Sequence, residues 1–386
     1  MPLDRRQLLH SLAIATPAII TVPPVRALAA AVGDDYGAVD ATSFGVVPDD
    51  PSSQTARLQK AIDAAAERRL PLRLPGGVVS TGTVRLRPAS RLIGAGAATV
   101  LKRDDDGPVL SAGAAGDIAI TDIAVAGVPG EGGGDNAAPL VELTACSRIS
   151  LSGRTARGGG GTAIKLEQCG GTVRGCTISG AGQTAIFSND ATGLEIVGNT
   201  LDDCADNGIQ VWRSVAGEDG TIIAQNRIRR IAAVSGGSGQ NGNAINLYRA
   251  DGVIVSANRI EDCAFTAVRA NSASNAQIVN NSCTGLGEVA IYAEFAFEGS
   301  VISGNIVDDA ATGISITNFN DGGRLAICTG NLIRNLRFRD HADRRGNGIG
   351  AEADTLISGN VVENAPGVGI TLGWGRHLRN VLVDSN

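Results

Sequence analysis

At 386 residues the chain has room for two or three ordinary domains or for one elongated repeat domain. Glycine is heavily used, at 52 residues, while aromatics make up only 3%, so many tight turns and small stacked side chains fit better than a globular core built on rings. The net charge of −6 excludes general nucleic-acid binding, which needs a basic footprint, and offers acidic polysaccharides no global attraction.

The chain opens Asp4-Arg5-Arg6-Gln7-Leu8-Leu9, continues in an apolar run from Leu8 to Val22, and reaches Ala27-Leu28-Ala29, small residues at cleavage spacing. The paired Arg5 and Arg6 before the apolar run resemble a twin-arginine (Tat) signal over residues 1–29. That resemblance implies export in the folded state by the Tat translocase, to the periplasm or beyond. Pro17, Pro23 and Pro24 interrupt the segment and it falls short of a ~20-residue span, so no stable membrane span is expected after cleavage. Pre-folded export suits a cofactor loaded in the cytoplasm and suits fast folding equally, so it identifies no cofactor.

Residues 30–75 read as a cap. Within them QTARLQKAIDAAAERR places Leu58, Ile62, Ala65 and Ala66 at helical spacing, which predicts a helix over 54–69 that Pro71 stops. With Asp40 to Gly45 before it and Leu74 to Val79 after it, this resembles the N-terminal segment of pectate-lyase-like β-helix proteins, where a short helix caps the first coil. It departs from the common pattern by having Pro48-Asp49-Asp50-Pro51 in place of an acidic DGxxDD-type turn.

From residue 76 to 386 the sequence is periodic. A T/N/V-G/A-I/V element recurs at Thr162, Thr184, Asn207, Asn243, Thr266, Val289, Thr312, Asn347 and Val368, in steps of 22, 23, 36, 23, 23, 23, 35 and 21 residues. A recurrent Asn falls between them at 199, 226, 258, 281, 305, 331, 360 and 386. Such a period marks a solenoid, and short β-branched strands joined by Gly and Asn turns make it an all-β right-handed parallel β-helix. Asn suits the turn because it tolerates left-handed backbone and can bond its copy in the next coil. The chain stops at ladder Asn386, in mid-coil, which predicts a truncated end. The nonapeptide of a Ca2+-binding β-roll is absent.

A twin-arginine start joined to ~23-residue β-helix repeats resembles a family of uncharacterised Tat-translocated repetitive proteins, over most of the chain. The resemblance implies a fold and a location but no catalytic residues. The seven cysteines form no CxxC. Cys204 and Cys263 share a coil position with Ile231, and Cys283 shares one with Leu201, so they read as small buried hydrophobes rather than as disulfides or metal ligands.

After each motif Ile or Val, alternate residues face outward. One outward column reads Phe187, Gln210, Asn246, Arg269, Tyr292, Ser315, Gly350; its neighbour reads Asn189, Trp212, Tyr248, Asn271, Glu294, Thr317, Glu352. Aromatics among Arg, Asn and Glu on one sheet face make a sugar-binding surface, since rings stack on apolar sugar faces while polar groups bond hydroxyls. Trp212, Asn246, Tyr248 and Asn271 are the expected binding residues. From ladder Asn to motif Ile takes ten residues in most coils but 19 from Asn226 to Ile245 and 18 from Asn331 to Ile349, so two extra segments should wall the ends of a floor from Tyr248 to Glu294. The second wall, Arg334 to Arg345, carries five arginines and His341, a local attraction for an anion.

Three functions compete. A uronate lyase or epimerase needs a base, a proton donor and cations for the enolate, with Arg269 as base or neutraliser and Tyr292 or Tyr248 as donor. No DPH-type epimerase motif or pectate-lyase arginine motif accompanies them. A glycoside hydrolase needs paired carboxylates, for which Glu294 and Glu352 stand two coils apart, ~10 Å between strands. Leu201-Asp202-Asp203-Cys204 is similar to the DDC of polygalacturonases but lacks their GHG and RIK elements. The third is a non-catalytic binder of envelope glycan, or a structural rod. Asp104-Asp105-Asp106 and Asp202, Asp203 and Asp206 are carboxylate clusters of the kind that suits Ca2+, though acidic turns on an acidic chain read first as solvated surface.

Overall fold

Short runs in which aliphatic residues alternate with polar ones, each cut by a turn, can form only strands. The computed structural model describes residues 37–386 apart from 129–136, 154, 238 and 339–345. The expected signal, with Arg5 and Arg6, therefore lies outside the described residues. Each coil contributes three short strands, and each pairs in parallel with the strand one repeat later. One stack runs through Ile164–Glu167, Thr184–Asn189, Asn207–Glu218, Asn243–Asp251 and Val268–Asn271. A second runs through Gly171–Arg174, Leu194–Val197, Ile222–Ala224 and Ile254–Ser256. A third runs through Thr177–Ser179, Thr200–Asp202, Arg227–Ile231 and Arg259–Cys263. Repetition closes them into a right-handed parallel β-helix of about 12 turns.

The register stacks like on like. Ile186, Ile209, Ile245, Val268, Ile291 and Ile314 lie directly opposite one another in successive coils, all fully buried. Burying each such side chain contributes roughly 1.5–3 kcal/mol, which offsets the entropy of ordering a chain with few large residues. At the N-terminal side, α1 (Thr55–Arg68) turns Leu58, Ala61, Ile62 and Ala65 into the same core. Gln59 ties it down by bonding both the N–H and the C=O of Arg85, at 2.7 and 3.0 Å.

The Asn ladder is continuous. In each rung the side-chain oxygen accepts from the backbone N–H and from the amide Nδ2 of the preceding ladder Asn, as Asn281 does for Asn258 at 3.0 Å each. Every Nδ2 also donates to a backbone carbonyl of the preceding coil, as Asn281 does to Val255. One detail differs from expectation. The left-handed residue is not the ladder Asn but the one before it: Gly198, Gln225, Ala257, Asn280, Gly304, Gly330, Gly359 and Ser385, with φ of 53–67°. That turn swings the Asn side chain inward, where its amide replaces backbone pairing that a strand would otherwise supply.

All seven cysteines are buried free thiols. Ile231 lies opposite Cys263, and Cys283 opposite Ile260, in the apolar columns. Burial pushes the Cys204 and Cys283 thiols up to about 12.

Asn281→Ala removes the acceptor of two buried donors on Asn258, each worth ~1–3 kcal/mol when stranded. Denaturant unfolding should show a loss of about 2–4 kcal/mol, whereas exposed Gln277→Ala on the neighbouring strand should change little; equal effects would contradict the ladder's role. Thiol titration of the native protein at pH 8 should find no reactive cysteine, and titration in denaturant all seven. Rapid labelling of any native thiol would contradict the packing.

Candidate functional site

Because strands pair in register, the outward columns become lines of side chains along the helix axis. Trp212 lies opposite Tyr248, and Asn271 opposite Glu294. Phe187, Trp212 and Tyr248 form a shelf of edge-to-face rings, with centroids 5.4 and 5.6 Å apart. The Trp212 indole N–H is buried with no hydrogen-bond partner. On the far side of the shelf the Arg249 guanidinium lies 4.8 Å from the Tyr248 ring centre and donates to the Ser214 carbonyl.

The first extra segment does not stand as a wall at one end; it lies down on the floor. The Gln240 carbonyl accepts from Asn246 Nδ2 at 3.2 Å, and Asn243 Nδ2 donates to the Gly239 carbonyl at 2.8 Å. Gly239 adopts φ 145°, and a Cβ there would come within 2.3 Å of Arg269 Nη1, so the backbone rests on the guanidinium. Asn246 and Arg269 are consequently buried, at 4% and 7% exposure, although they point away from the core. What stays open is a groove of about 420 Å3 lined by Trp212, Tyr248, Asn246, Arg269 and Asn271 together with Gln240.

Arg269 makes a two-pronged pair with Glu294, Nε to Oε1 at 2.6 Å and Nη2 to Oε2 at 2.9 Å, and a third contact to Glu288 at 3.3 Å. Asn271 Nδ2 adds a bond to Glu294 at 3.1 Å, and Thr266 Oγ1 one to Glu288 at 3.2 Å. The guanidinium also lies 5.1 Å from the Tyr292 ring centre. Burial alone would lower the Arg269 pKa, but the two carboxylates outweigh it and hold the group above its ordinary value. Burial raises the Glu294 carboxyl, and Arg269 and Asn271 oppose that rise. An arginine held this way keeps its proton, so it does not suit the base role. Its charge is already matched by the protein's own carboxylates, which leaves little for an enolate. Glu294 is 2% exposed, and Glu352 accepts the Phe319 N–H at 2.8 Å, so neither is presented as an open acid or base.

The second extra segment is described only in part, since residues 339–345 lie outside the described residues. Arg334 pairs with Asp308 at 2.9 Å and Arg337 pairs with Asp309, so these two arginines of the expected basic wall are matched. Two neighbouring grooves extend the site. One, of about 340 Å3, takes in Phe187, Gln210 and Trp212 with Lys165 and Asp206. The other, of about 350 Å3, holds Tyr292, Ser315, Thr317 and Glu352 with Thr371 and Trp374. Trp374 and Glu288 escaped the sequence reading: Trp374 lies just past a strand, in a turn with no period, while Glu288 immediately precedes the Val289 motif and was legible as the next column over.

The expected acidic clusters serve protein donors. Asp202 and Asp203 pair with Arg229 and Arg230, Asp206 takes the Ser235 N–H and hydroxyl, and Asp105 takes the N–H groups of Thr83 and Gly107. Among the described residues no helix is long and apolar enough to cross a membrane.

Residues 128–294 match the family model described as periplasmic copper-binding protein (NosD), and 214–386 match the model of a right-handed β-helix region. No curated protein matches the chain. Among solved structures it resembles the A-module of a mannuronan C-5 epimerase from Azotobacter vinelandii, at 17% identity and TM-score 0.57 over 90% of this chain and 99% of that one. It also resembles a family 28 exopolygalacturonase from Yersinia enterocolitica (13%, TM-score 0.62, 91% and 79%). A third is the catalytic unit of a GH87 α-1,3-glucanase from Streptomyces thermodiastaticus (16%, TM-score 0.63, 91% and 69%). At such identities the likeness is one of fold. Copper would need thiolates, imidazoles or thioethers converging on one point. Among the described residues no three His, Cys, Asp or Glu converge so as to hold a metal ion, and the cysteines are spread through the core as buried thiols, so these residues do not fit that metal.

Arg269→Leu would leave Glu288 and Glu294 buried without their cation, a loss of roughly 3–5 kcal/mol. Denaturant unfolding should show it, with part recovered in Arg269→Leu/Glu294→Leu. A change below about 0.5 kcal/mol, the usual scale for surface positions, would contradict the pair's role in holding the floor.

Proposed function

We propose that this chain binds a polysaccharide along the outward face that carries Trp212, Tyr248 and Tyr292, and that it does so without turning it over. The shelf of Phe187, Trp212 and Tyr248 beside the amides of Asn246 and Asn271 carries this reading. Rings offer stacking area at small entropic cost, and amides bond hydroxyls. The commitment of Arg269, Glu294 and Glu352 to internal bonds supports binding over catalysis. The named activities of the three similar structures all concern polysaccharides, which accords with a glycan ligand. Export across the inner membrane, by the signal expected around Arg5 and Arg6, would place the groove among envelope or extracellular glycans, in keeping with the periplasmic description of the matching family model.

Affinity electrophoresis through gels containing single polysaccharides checks this. At least one glycan should retard the protein, Trp212→Ala/Tyr248→Ala should weaken retardation at least about tenfold, near 1.4 kcal/mol, and reducing-end and ultraviolet assays should register no product. Retardation unaffected by the double variant, or steady product release, would contradict it.

A further inference from the structure

Resting on that reading, we infer that the groove selects neutral hexose polymers and rejects polyuronates. The three grooves lie end to end on one face: Trp212 belongs to two of them, and Tyr292 of the third stands opposite Arg269 in the next coil. From Phe187 to Thr371 the column crosses seven strand steps, about 34 Å at parallel-strand spacing.

Among the described residues, both cations that line these grooves are matched by protein carboxylates. Lys165 Nζ sits 2.9 Å from Glu142, and Arg269 holds Glu294 and Glu288. Asp206 and Glu352 add negative charge at the lining and are satisfied by hydrogen-bond donors, not by cations. Counting partners, two cations face five carboxylates. A polyuronate brings a carboxylate on each sugar, and to draw on Arg269 it would have to break a buried pair. Like charges brought face to face across an interface repel and disfavour that partner. A neutral sugar meets no such penalty. It needs apolar faces for its C–H surfaces and hydrogen-bonding groups for its hydroxyls. The Phe187–Trp212–Tyr248 shelf supplies the first, while the half-buried polar residues Asn241, Asn271, Ser315 and Thr317 that line the three grooves supply the second.

The test is retardation of the full protein, at low salt, in gels of dextran, laminarin or galactomannan against gels of alginate or polygalacturonate. Retardation by a neutral polymer and by neither polyuronate is the expected result. Salt-sensitive retardation by a polyuronate would overturn the neutral class while leaving a glycan-binding groove in place. No retardation by any polymer would overturn the groove reading itself. Glu142→Gln/Glu352→Gln unmasks Lys165 and removes a lining charge at positions whose hydrogen bonds Gln can keep. It should tighten binding to alginate at least about tenfold, near 1.4 kcal/mol; unchanged rejection of alginate would show that these charges do not set the choice.

Discussion

In-register parallel stacking is the constraint on which the rest of this protein depends. Each residue meets its counterpart one coil above and one below, ~4.8 Å away, so any position that works once must work again in every coil. Inside, that rule favours aliphatic columns such as Ile209, Ile245, Val268 and Ile291. At the turn it favours asparagine, whose amide donates and accepts at once and so can bond an identical neighbour indefinitely. The ladder from Asn199 to Asn386 satisfies buried backbone that lies between two strands and has no strand partner of its own.

The candidate site follows from the same rule applied to the outer surface. Alternation forces every second residue out, and stacking lines those residues up. A row of rings and amides then needs only a few suitable side chains, one to a coil. The site becomes particular where the repeat is broken. The extra segment before Asn243 has no counterpart in adjacent coils, so it folds over its own floor and buries Asn246 and Arg269. An arginine covered in this way requires counter-charge, and Glu294, one coil on in the adjacent column, with Glu288, provides it. The outcome is a firm platform whose one buried cation is fully matched by carboxylates, with aromatic side chains on both flanks.

The fold was legible because periodicity is a property of sequence alone: the motif spacing, the Asn positions, the outward columns and the cysteines in apolar columns could all be read by counting. The pairing of Arg269 with Glu294 was present in the same columns, but both were read as groups facing solvent, because nothing periodic signals that a loop will lie on top of them. Trp374 was missed for a related reason, since it stands in an irregular turn beyond Ile370–Leu372. The left-handed residue before each ladder Asn was hidden by its variety: Gly, Gln, Ala, Asn and Ser all occupy it, and the inward pull of the Asn amide holds them there.

The chain's two tryptophans, Trp212 and Trp374, line grooves at separated points of this face, which makes their emission a direct reporter. Titrating the protein with a neutral oligosaccharide should give a saturable change in tryptophan fluorescence, reduced in Trp212→Phe and in Trp374→Phe and lost when both are replaced by Phe. An oligosaccharide that binds by calorimetry while leaving the emission of both tryptophans unchanged would contradict a glycan groove on this face.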